Sequence, residues 1–206
     1  MKRKFKLFAT VASLCLCLAL MAFGVYAATT VTYTAKGSVK YTVADVFVDF
    51  ETTTYGSNTK GVGRSSVSND DSISWGSALK TYGKVSSYDG TTPDAAGQDG
   101  STETTALDAM DFKDHDAYKV VIKVSNKAKS GKVRVTGQVS FTEEKNFTVV
   151  SADTYTEEEI VSGANKEFIF YVLLNDPTAS IEEKEKDSGV QPFTITLTVE
   201  NSSVGV

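Results

Sequence analysis

The stretch that decides the fold is residues 117–141, Ala-Tyr-Lys-Val-Val-Ile-Lys-Val-Ser-Asn-Lys-Ala-Lys-Ser-Gly-Lys-Val-Arg-Val-Thr-Gly-Gln-Val-Ser-Phe. Apolar residues fall at every second position in both halves, from Tyr118 to Val124 and from Val133 to Phe141. Such alternation is typical of strands with one buried face. The polar segment 126–131 between them ends in glycine, so we expect the two strands to form a hairpin.

Similar patterns occur along the chain on both sides of this stretch. Residues 29–54 alternate with a change of phase near Ala44, which predicts two strands joined by a turn or bulge. Residues 146–151 predict a short strand, and residues 190–201 alternate as regularly as any in the chain. In residues 166–175, apolar residues occupy both odd-numbered and even-numbered positions, so both faces of the strand carry them. This predicts a strand that is covered on both faces.

These patterns give eight or nine strands, no long helix and no parallel crossover unit. They predict an all-β fold, an antiparallel β-sandwich of jelly-roll or immunoglobulin-like type. The exception is Thr156-Glu157-Glu158-Glu159, whose spacing is that of a helix capping box and predicts one helical turn over residues 157–162.

The segment 55–112 is rich in Ser, Thr, Gly and Asp and poor in aliphatic residues. Residues 72–75 and 77–88 can each hold a short strand, and residues 91–105 are typical of an irregular loop. We interpret the segment as a solvated insertion in a single domain that spans residues 28–206; the alternative is a functional or mobile loop region.

The N-terminus has the pattern of a secretory signal peptide over residues 1–27. Four basic residues precede an apolar run over residues 7–23, and Val25-Tyr26-Ala27 places small residues before a cleavage position after Ala27. We therefore expect a signal-peptide helix and a secreted or cell-surface location. The alternative is an uncleaved membrane anchor, since about 20 apolar residues can span a bilayer.

Both cysteines, Cys15 and Cys17, lie in this leader, so the mature domain must fold without disulfides. The leader holds four of the 21 basic residues and no acid, which leaves 17 against 26 acidic residues and a formal charge of −9. An acidic domain without a basic run does not suit nucleic acid or an anionic membrane surface. We expect neither as a partner once the leader is removed.

No catalytic signature is present, and we predict that the chain is not an enzyme and has no catalytic residues. His115 is the only histidine, and the chain contains neither Gly-x-Ser-x-Gly nor His-Glu-x-x-His. A hydrolase would need a pair of carboxylates that converge in a cleft, which a sequence cannot show.

Acidic residues crowd the segment 108–116, where four aspartates occur within nine positions. Calcium binds six to eight oxygen ligands, so such a loop can supply part of a site, with Asp108 and Asp111 as the candidate ligands. The spacing matches no EF-hand loop, and the alternative is a solvated acidic loop. No other cofactor is expected.

Three aromatic residues stand in the polar segment: Trp75, Tyr82 and Tyr88. Exposed rings on a β-sandwich can stack on sugars, and this makes a carbohydrate-binding module or an adhesin-type binding domain the alternative function. A single tryptophan in a sandwich can equally belong to the core.

Several features together resemble the TasA/camelysin-like biofilm-matrix proteins of Gram-positive bacteria. They are the lysine-rich leader that ends in Gly24-Val25-Tyr26-Ala27, the Thr/Val/Tyr strand after it, the strand 118–125 that runs into Ser-Asn-Lys, and the strand 168–174 that runs into Asn-Asp-Pro-Thr. The resemblance implies a jelly-roll-like sandwich. It also implies fibres in which an N-terminal strand completes the neighbouring subunit.

Carried over to this sequence, the donor strand would be residues 28–36, with Ala28, Val31 and Tyr33 as donor residues. An edge strand with unpaired backbone groups can add to another sheet, or it can pair within its own domain. The expectation is thus an exported bacterial matrix or surface protein with itself as its partner. Glycans are the alternative partner.

Overall fold

The computed structural model describes residues 34–44, 46–63, 67, 73–88, 102–141, 147–153, 155–175 and 190–202. The predicted signal peptide, its cleavage position at Ala27 and the donor residues Ala28, Val31 and Tyr33 lie outside the described residues. Among the described residues, no helix is long and apolar enough to cross a membrane.

The described residues form twelve strands. They are β1 Thr34–Ala44, β2 Val48–Ser57, β3 Ala78–Thr81, β4 Val85–Ser86, β5 Thr102–Ala106, β6 Met110–Asp111, β7 Ala117–Asn126, β8 Lys132–Phe141, β9 Phe147–Ser151, β10 Glu158–Val161, β11 Asn165–Leu174 and β12 Val190–Asn201.

The strands form two sheets, and the predicted all-β sandwich is confirmed. Sheet A has the order β10-β8-β12-β1-β5, with β6 also paired to β1. Sheet B has the order β3-β2-β7-β11-β9, with β4 also paired to β2. All pairs are antiparallel except β1 with β12, which run parallel in continuous register from Thr34 opposite Val190 to Ala44 opposite Glu200.

The core lies between the sheets and follows the alternation in the sequence. In β12 the inward residues from Phe193 to Val199 are almost fully buried, and in β7 those from Tyr118 to Val124 are as well. The change of phase near Ala44 is the point where the chain leaves sheet A for sheet B.

The predicted hairpin between residues 117 and 141 is wrong. β7 pairs with β2 and β11 in sheet B, whereas β8 pairs with β10 and β12 in sheet A, so residues 127–131 cross from one sheet to the other. Asn126 fixes this crossing, because its side-chain amide donates to the carbonyl of Ile160 and its backbone N–H donates to the carbonyl of Ala164. Gly131 has a φ of 90°, which glycine adopts without strain.

The predicted helical turn over residues 157–162 is also wrong, since residues 158–161 are strand β10 at the edge of sheet A. β10 lies opposite the basic strand β8, and Glu159 bonds to Lys132 at 2.7 Å. Ile160 points inward and is buried. The acidic residues that resemble a capping box therefore make cross-strand ion pairs.

β11 is covered on both faces, as its sequence predicts. Phe168, Phe170 and Val172 face the main core. Tyr171 and Leu173 on the opposite face join Ala117 and three residues of the β2–β3 connection in a second cluster, which we call the outer cluster: Val62, Val67, Ile73, Ala117, Tyr171 and Leu173. The connection between β2 and β3 thus covers part of sheet B, and the interpretation of residues 55–112 as a purely solvated insertion is wrong for these positions.

The same segment contains more strand than expected. Strands β3 and β4 lie within residues 77–88 as predicted, but no strand forms over residues 73–75. β5 begins at Thr102 and pairs with β1, so the end of the predicted loop 91–105 is part of sheet A.

Candidate functional site

A cleft of about 230 Å³ opens between the edge of sheet B at β3 and the segment that leads from β5 to β7. It gathers several residues that the sequence marks as candidates. Its lining residues are Thr54, Leu79, Lys80, Tyr82, Asp108, Ala109, Met110, Asp111, Asp114, His115 and Tyr118.

The acidic wall of the cleft is positioned by the short strand β6. Met110 and Asp111 pair with the first two residues of β1, and the buried Met110 side chain anchors the segment to the core. A tight turn follows, in which the N–H of Asp114 donates to the carbonyl of Asp111 at 3.0 Å. The N–H of Asp116 then donates to the carbonyl of Ser57 and leads the chain into β7.

The two candidate calcium ligands both line this cleft, and each already has a lysine partner. The Lys80 ammonium lies 2.7 and 2.9 Å from the two carboxylate oxygens of Asp108. Asp111 pairs with Lys113 at 3.1 Å. The hydrogen bonds to Asp108 and Asp111 raise the pKa values of Lys80 and Lys113 respectively, so both lysines stay charged.

In the part of the chain that the structure describes, no group of three or more His, Asp or Glu side chains is arranged to hold a metal ion. Calcium at Asp108 and Asp111 would have to displace both lysine partners. The calcium site stays a prediction.

Tyr82 forms part of the cleft floor and is 8% exposed. Its hydroxyl accepts the N–H of Asp108 at 2.7 Å, and the Lys80 ammonium lies 4.9 Å from its ring centroid. These contacts join β3 to the acidic segment. They leave the ring in a poor position for stacking on a sugar.

The other two candidate sugar-stacking residues lie elsewhere. Trp75 stacks on Tyr171 with 5.7 Å between ring centroids, and the Lys119 ammonium is 4.7 Å from its centroid. Tyr88 makes an edge contact with Phe47. The structure therefore does not bring Trp75, Tyr82 and Tyr88 together on one platform, and Trp75 is half-buried against the outer face of sheet B.

His115 is half-buried at the end of the cleft. Its ring covers Gly56, where a Cβ atom would come within 2.6 Å of the ring, and it makes an edge contact with Tyr118. Its Nδ1 atom lies 3.2 Å from Oδ1 of Asn58.

Sequence reasoning placed Tyr118 only in the core and gave Lys80 no role. The Tyr118 hydroxyl donates to the carbonyl of Asp111 at 2.6 Å. Burial, together with the charges of Asp114 and Asp111, raises the pKa of Tyr118, so it remains a neutral donor. The cleft thus combines an apolar floor, three aspartate carboxylates and the ammonium group of Lys80.

Comparison with known proteins gives no family. No protein-family model and no curated protein matches the chain. Among solved structures, it is similar to the major pilin protein T-13 of Streptococcus pyogenes at 11% identity, with 84% of this chain and 98% of that chain covered and a TM-score of 0.18. It is similar to the yeast delta-COP-I mu-homology domain at 9% identity, with 84% and 96% covered and a TM-score of 0.16. Likenesses this weak carry no argument about function.

Proposed function

We propose that this chain is an exported, non-enzymatic β-sandwich protein of the bacterial cell surface or extracellular matrix, which self-assembles by exchange of its N-terminal strand. The observation that supports this most directly is the place of β1 in sheet A. The signal-peptide pattern and the resemblance to biofilm-matrix proteins point the same way.

β1 lies in the interior of its sheet, between β12 on one side and β5 and β6 on the other. It runs parallel to β12, and the next strand in the chain, β2, belongs to the other sheet. No hairpin therefore ties β1 to a strand beside it. A strand held in this way can be supplied by a second copy with the same neighbours and the same contacts, as in domain swapping.

The contacts of β1 show why the groove cannot stay empty. Ala35, Val39 and Tyr41 are almost completely buried. Tyr41 stacks on Phe50 with 4.3 Å between centroids, and its hydroxyl bonds to Thr52 across the sandwich. Without β1 this apolar surface would meet water, so either the same chain or a neighbouring chain must fill the groove.

The exchanging segment then extends past the predicted donor residues. Thr34 to Lys36, the last part of the predicted donor strand 28–36, pair with Val190 to Pro192 of β12 in the described structure. We propose that the described strand β1, Thr34–Ala44, exchanges as a whole, so the donor strand reaches beyond residue 36.

A disulfide trap tests this proposal. The side-chain oxygens of Ser38 and Thr194 lie 3.1 Å apart on neighbouring strands β1 and β12. The double variant Ser38→Cys, Thr194→Cys places one cysteine pair in a mature chain that otherwise has none. After assembly and mild oxidation, strand exchange predicts a covalent ladder on a non-reducing gel.

The matched control is the double variant Thr53→Cys, Thr81→Cys, whose hydroxyls are also 3.1 Å apart but lie on β2 and β3. These strands are not expected to exchange, so the control should give only cross-linked monomers. If assembled Ser38→Cys, Thr194→Cys protein is cross-linked only within single chains, strand exchange is excluded.

Carbohydrate binding remains the second candidate, and it now depends on Trp75 alone. Tyr171 and Lys119 are paired on adjacent strands of sheet B, and both contact the indole. Glycan-array binding that is lost in Trp75→Ala and kept in Tyr88→Ala would support it. An intact protein that binds no glycan would remove it.

A further inference from the structure

We propose that the edge of β3 and the adjoining cleft bind an extended, lysine-bearing segment of a partner protein. The segment would add to sheet B beside β3 and place its lysine in the cleft. This inference does not depend on exchange of β1, because Met110 and Asp111 of the cleft pair with β1 in the same way whichever copy supplies that strand.

Among the described residues, β3 is one of the two edges of sheet B, and β9 is the other. All four residues of β3 are exposed, and Leu79 is 49% exposed. An edge strand presents backbone N–H and C=O groups that an extended peptide can pair with, while a neighbouring pocket selects its side chains. Leu79 lines both the strand and the cleft, so it lies where such a segment would cross.

The chemistry of the cleft favours an ammonium group. The chain's own Lys80 shows this, because its ammonium bonds to Asp108 and lies 4.9 Å from the Tyr82 ring centroid. A carboxylate next to an aromatic face is a favourable setting for a lysine head group. The apolar floor of Tyr82, Met110 and Leu79 suits its aliphatic stem.

Within the described residues, Asp114 lines the same cleft with no ion pair or hydrogen bond from its carboxylate. Asp111 lies beside it, and the lining holds three aspartates against one lysine, Lys80, and one histidine, His115. The lining is therefore net negative, and its charge complements a basic segment and repels an acidic one.

The edge of sheet A at β10 provides the contrast. Val161 there is as exposed as Leu79, at 51%. However, β10 carries ion pairs from Glu158 to Lys166 and from Glu159 to Lys132, and Glu157 just before it pairs with Arg134. Charges of this kind protect an edge from further pairing. β3 carries one such pair, that of Lys80 with Asp108.

The test uses the purified protein and a fluorescent, capped peptide of alternating threonine and valine with one central lysine. Anisotropy should report binding, and hydrogen–deuterium exchange should show protection at β3 and residues 108–118. The same peptide with glutamate at its centre should bind at least about tenfold more weakly.

Two matched variants locate the site. Leu79→Lys places a cation in the cleft and should weaken binding of the lysine peptide by at least about tenfold. Val161→Lys makes the same change at the β10 edge and should leave binding within about twofold. Asp114→Asn should weaken binding about three- to fivefold.

The proposal is overturned if the lysine peptide does not bind at millimolar concentration, or if the glutamate peptide binds equally well. Protection centred on β10, or equal loss of binding in Leu79→Lys and Val161→Lys, would also overturn it.

Discussion

The two sheets share one core but differ on their outer faces. The outer face of sheet A is polar: Ser38, Thr194 and Ser140 lie side by side across three strands, and Lys40, Thr196 and Gln138 form the next row. The outer face of sheet B instead carries the outer cluster, beneath residues 62, 67 and 73 of the β2–β3 connection. A sheet can therefore keep apolar residues on both faces when part of a polar-looking connection covers the second one.

The connection between β2 and β3 also contributes to the stability of the fold. Val62, Val67 and Ile73 are isolated apolar residues in a segment otherwise rich in Ser, Gly and Asp, yet all three are buried. Single aliphatic residues in such a segment can mark where it returns to the sheet. This difference between the sheets leads to four predictions, in order of size.

The largest effect is expected at Leu173, which is fully buried in the outer cluster. Leu173→Ala removes apolar contacts and leaves a cavity, so it should lower the free energy of unfolding by about 2–5 kcal/mol. Thr196→Ala, on the outer face of sheet A, should change it by less than about 0.5 kcal/mol. Urea denaturation measures both, and a cost below about 1 kcal/mol for Leu173→Ala would show that the cover over sheet B is loose.

The second prediction concerns Gly37 in sheet A. A Cβ atom there would lie 2.3 Å from the Phe193 ring and 2.9 Å from Leu107, so the glycine is needed for close packing. Gly37→Ala should destabilise the fold by about 1–3 kcal/mol through overpacking. Gly83→Ala is the control, because its Cβ would meet open space. Equal melting temperatures for the two variants would contradict this packing.

The third prediction is a loss of stability in alkali. Burial raises the pKa of Tyr41 from sheet A, of Tyr118 from sheet B and of Tyr155 above their ordinary value of 10.0. Above pH 10 the unfolded chain releases these protons while the folded chain keeps them, so rising pH favours unfolding. Each tyrosine contributes at most about 1.4 kcal/mol per pH unit in that range.

Denaturation midpoints between pH 8 and 11 measure this effect. Stability should be level to about pH 9 and then fall, and Tyr118→Phe should fall less steeply than the natural sequence. Identical slopes for the two proteins would mean that Tyr118 does not hold its proton in the folded state.

The smallest effect is expected at Lys119, whose ammonium lies near both Trp75 and Tyr55 on the outer face of sheet B. Lys119→Gln should cost about 0.5–1 kcal/mol and alter the emission of the single tryptophan. Lys123→Gln is the control on the same face of β7. A tryptophan spectrum that shifts equally in both variants would argue against the contact with Trp75.

The sequence was sufficient to assign the buried faces. The pleat forces alternate side chains of β7 and β12 to opposite sides, so a period of two identifies the core residues wherever one side meets water. β11 was identified as covered on both faces by the same logic. The residues of the β2–β3 connection that cover its outer face could not be found in this way, because they are isolated apolar residues without regular spacing.

Strand pairing could not be predicted in the same way. Alternation tells which face of β7 and β8 is buried but not which strand lies beside each, and the polar segment between them can cross between sheets as easily as it can turn back. In the same way, Glu157 to Glu159 fit a capping box locally, and only the basic residues of β8 opposite them favour a strand. Tertiary context decided both cases.

Only part of the candidate site could be predicted from the sequence. Asp108, Asp111 and His115 are close in sequence, so their proximity in the cleft needs no knowledge of the fold. Lys80 and Tyr82 come from the other side of a long connection, and their approach to Asp108 depends on the packing of β3 over the acidic segment. A contact between residues so far apart in the sequence leaves no local sequence pattern from which it could be predicted.

The parallel register of β1 and β12 gives the molecule a direction. Thr34 begins beside Val190, and Ala44 ends beside Glu200, so the chain enters sheet A at one pole and β12 leaves it at the other. Eleven residues of strand separate these poles, a span of roughly 35 Å. A label attached at Asn201 would thus mark the pole opposite Thr34, whichever copy supplies β1.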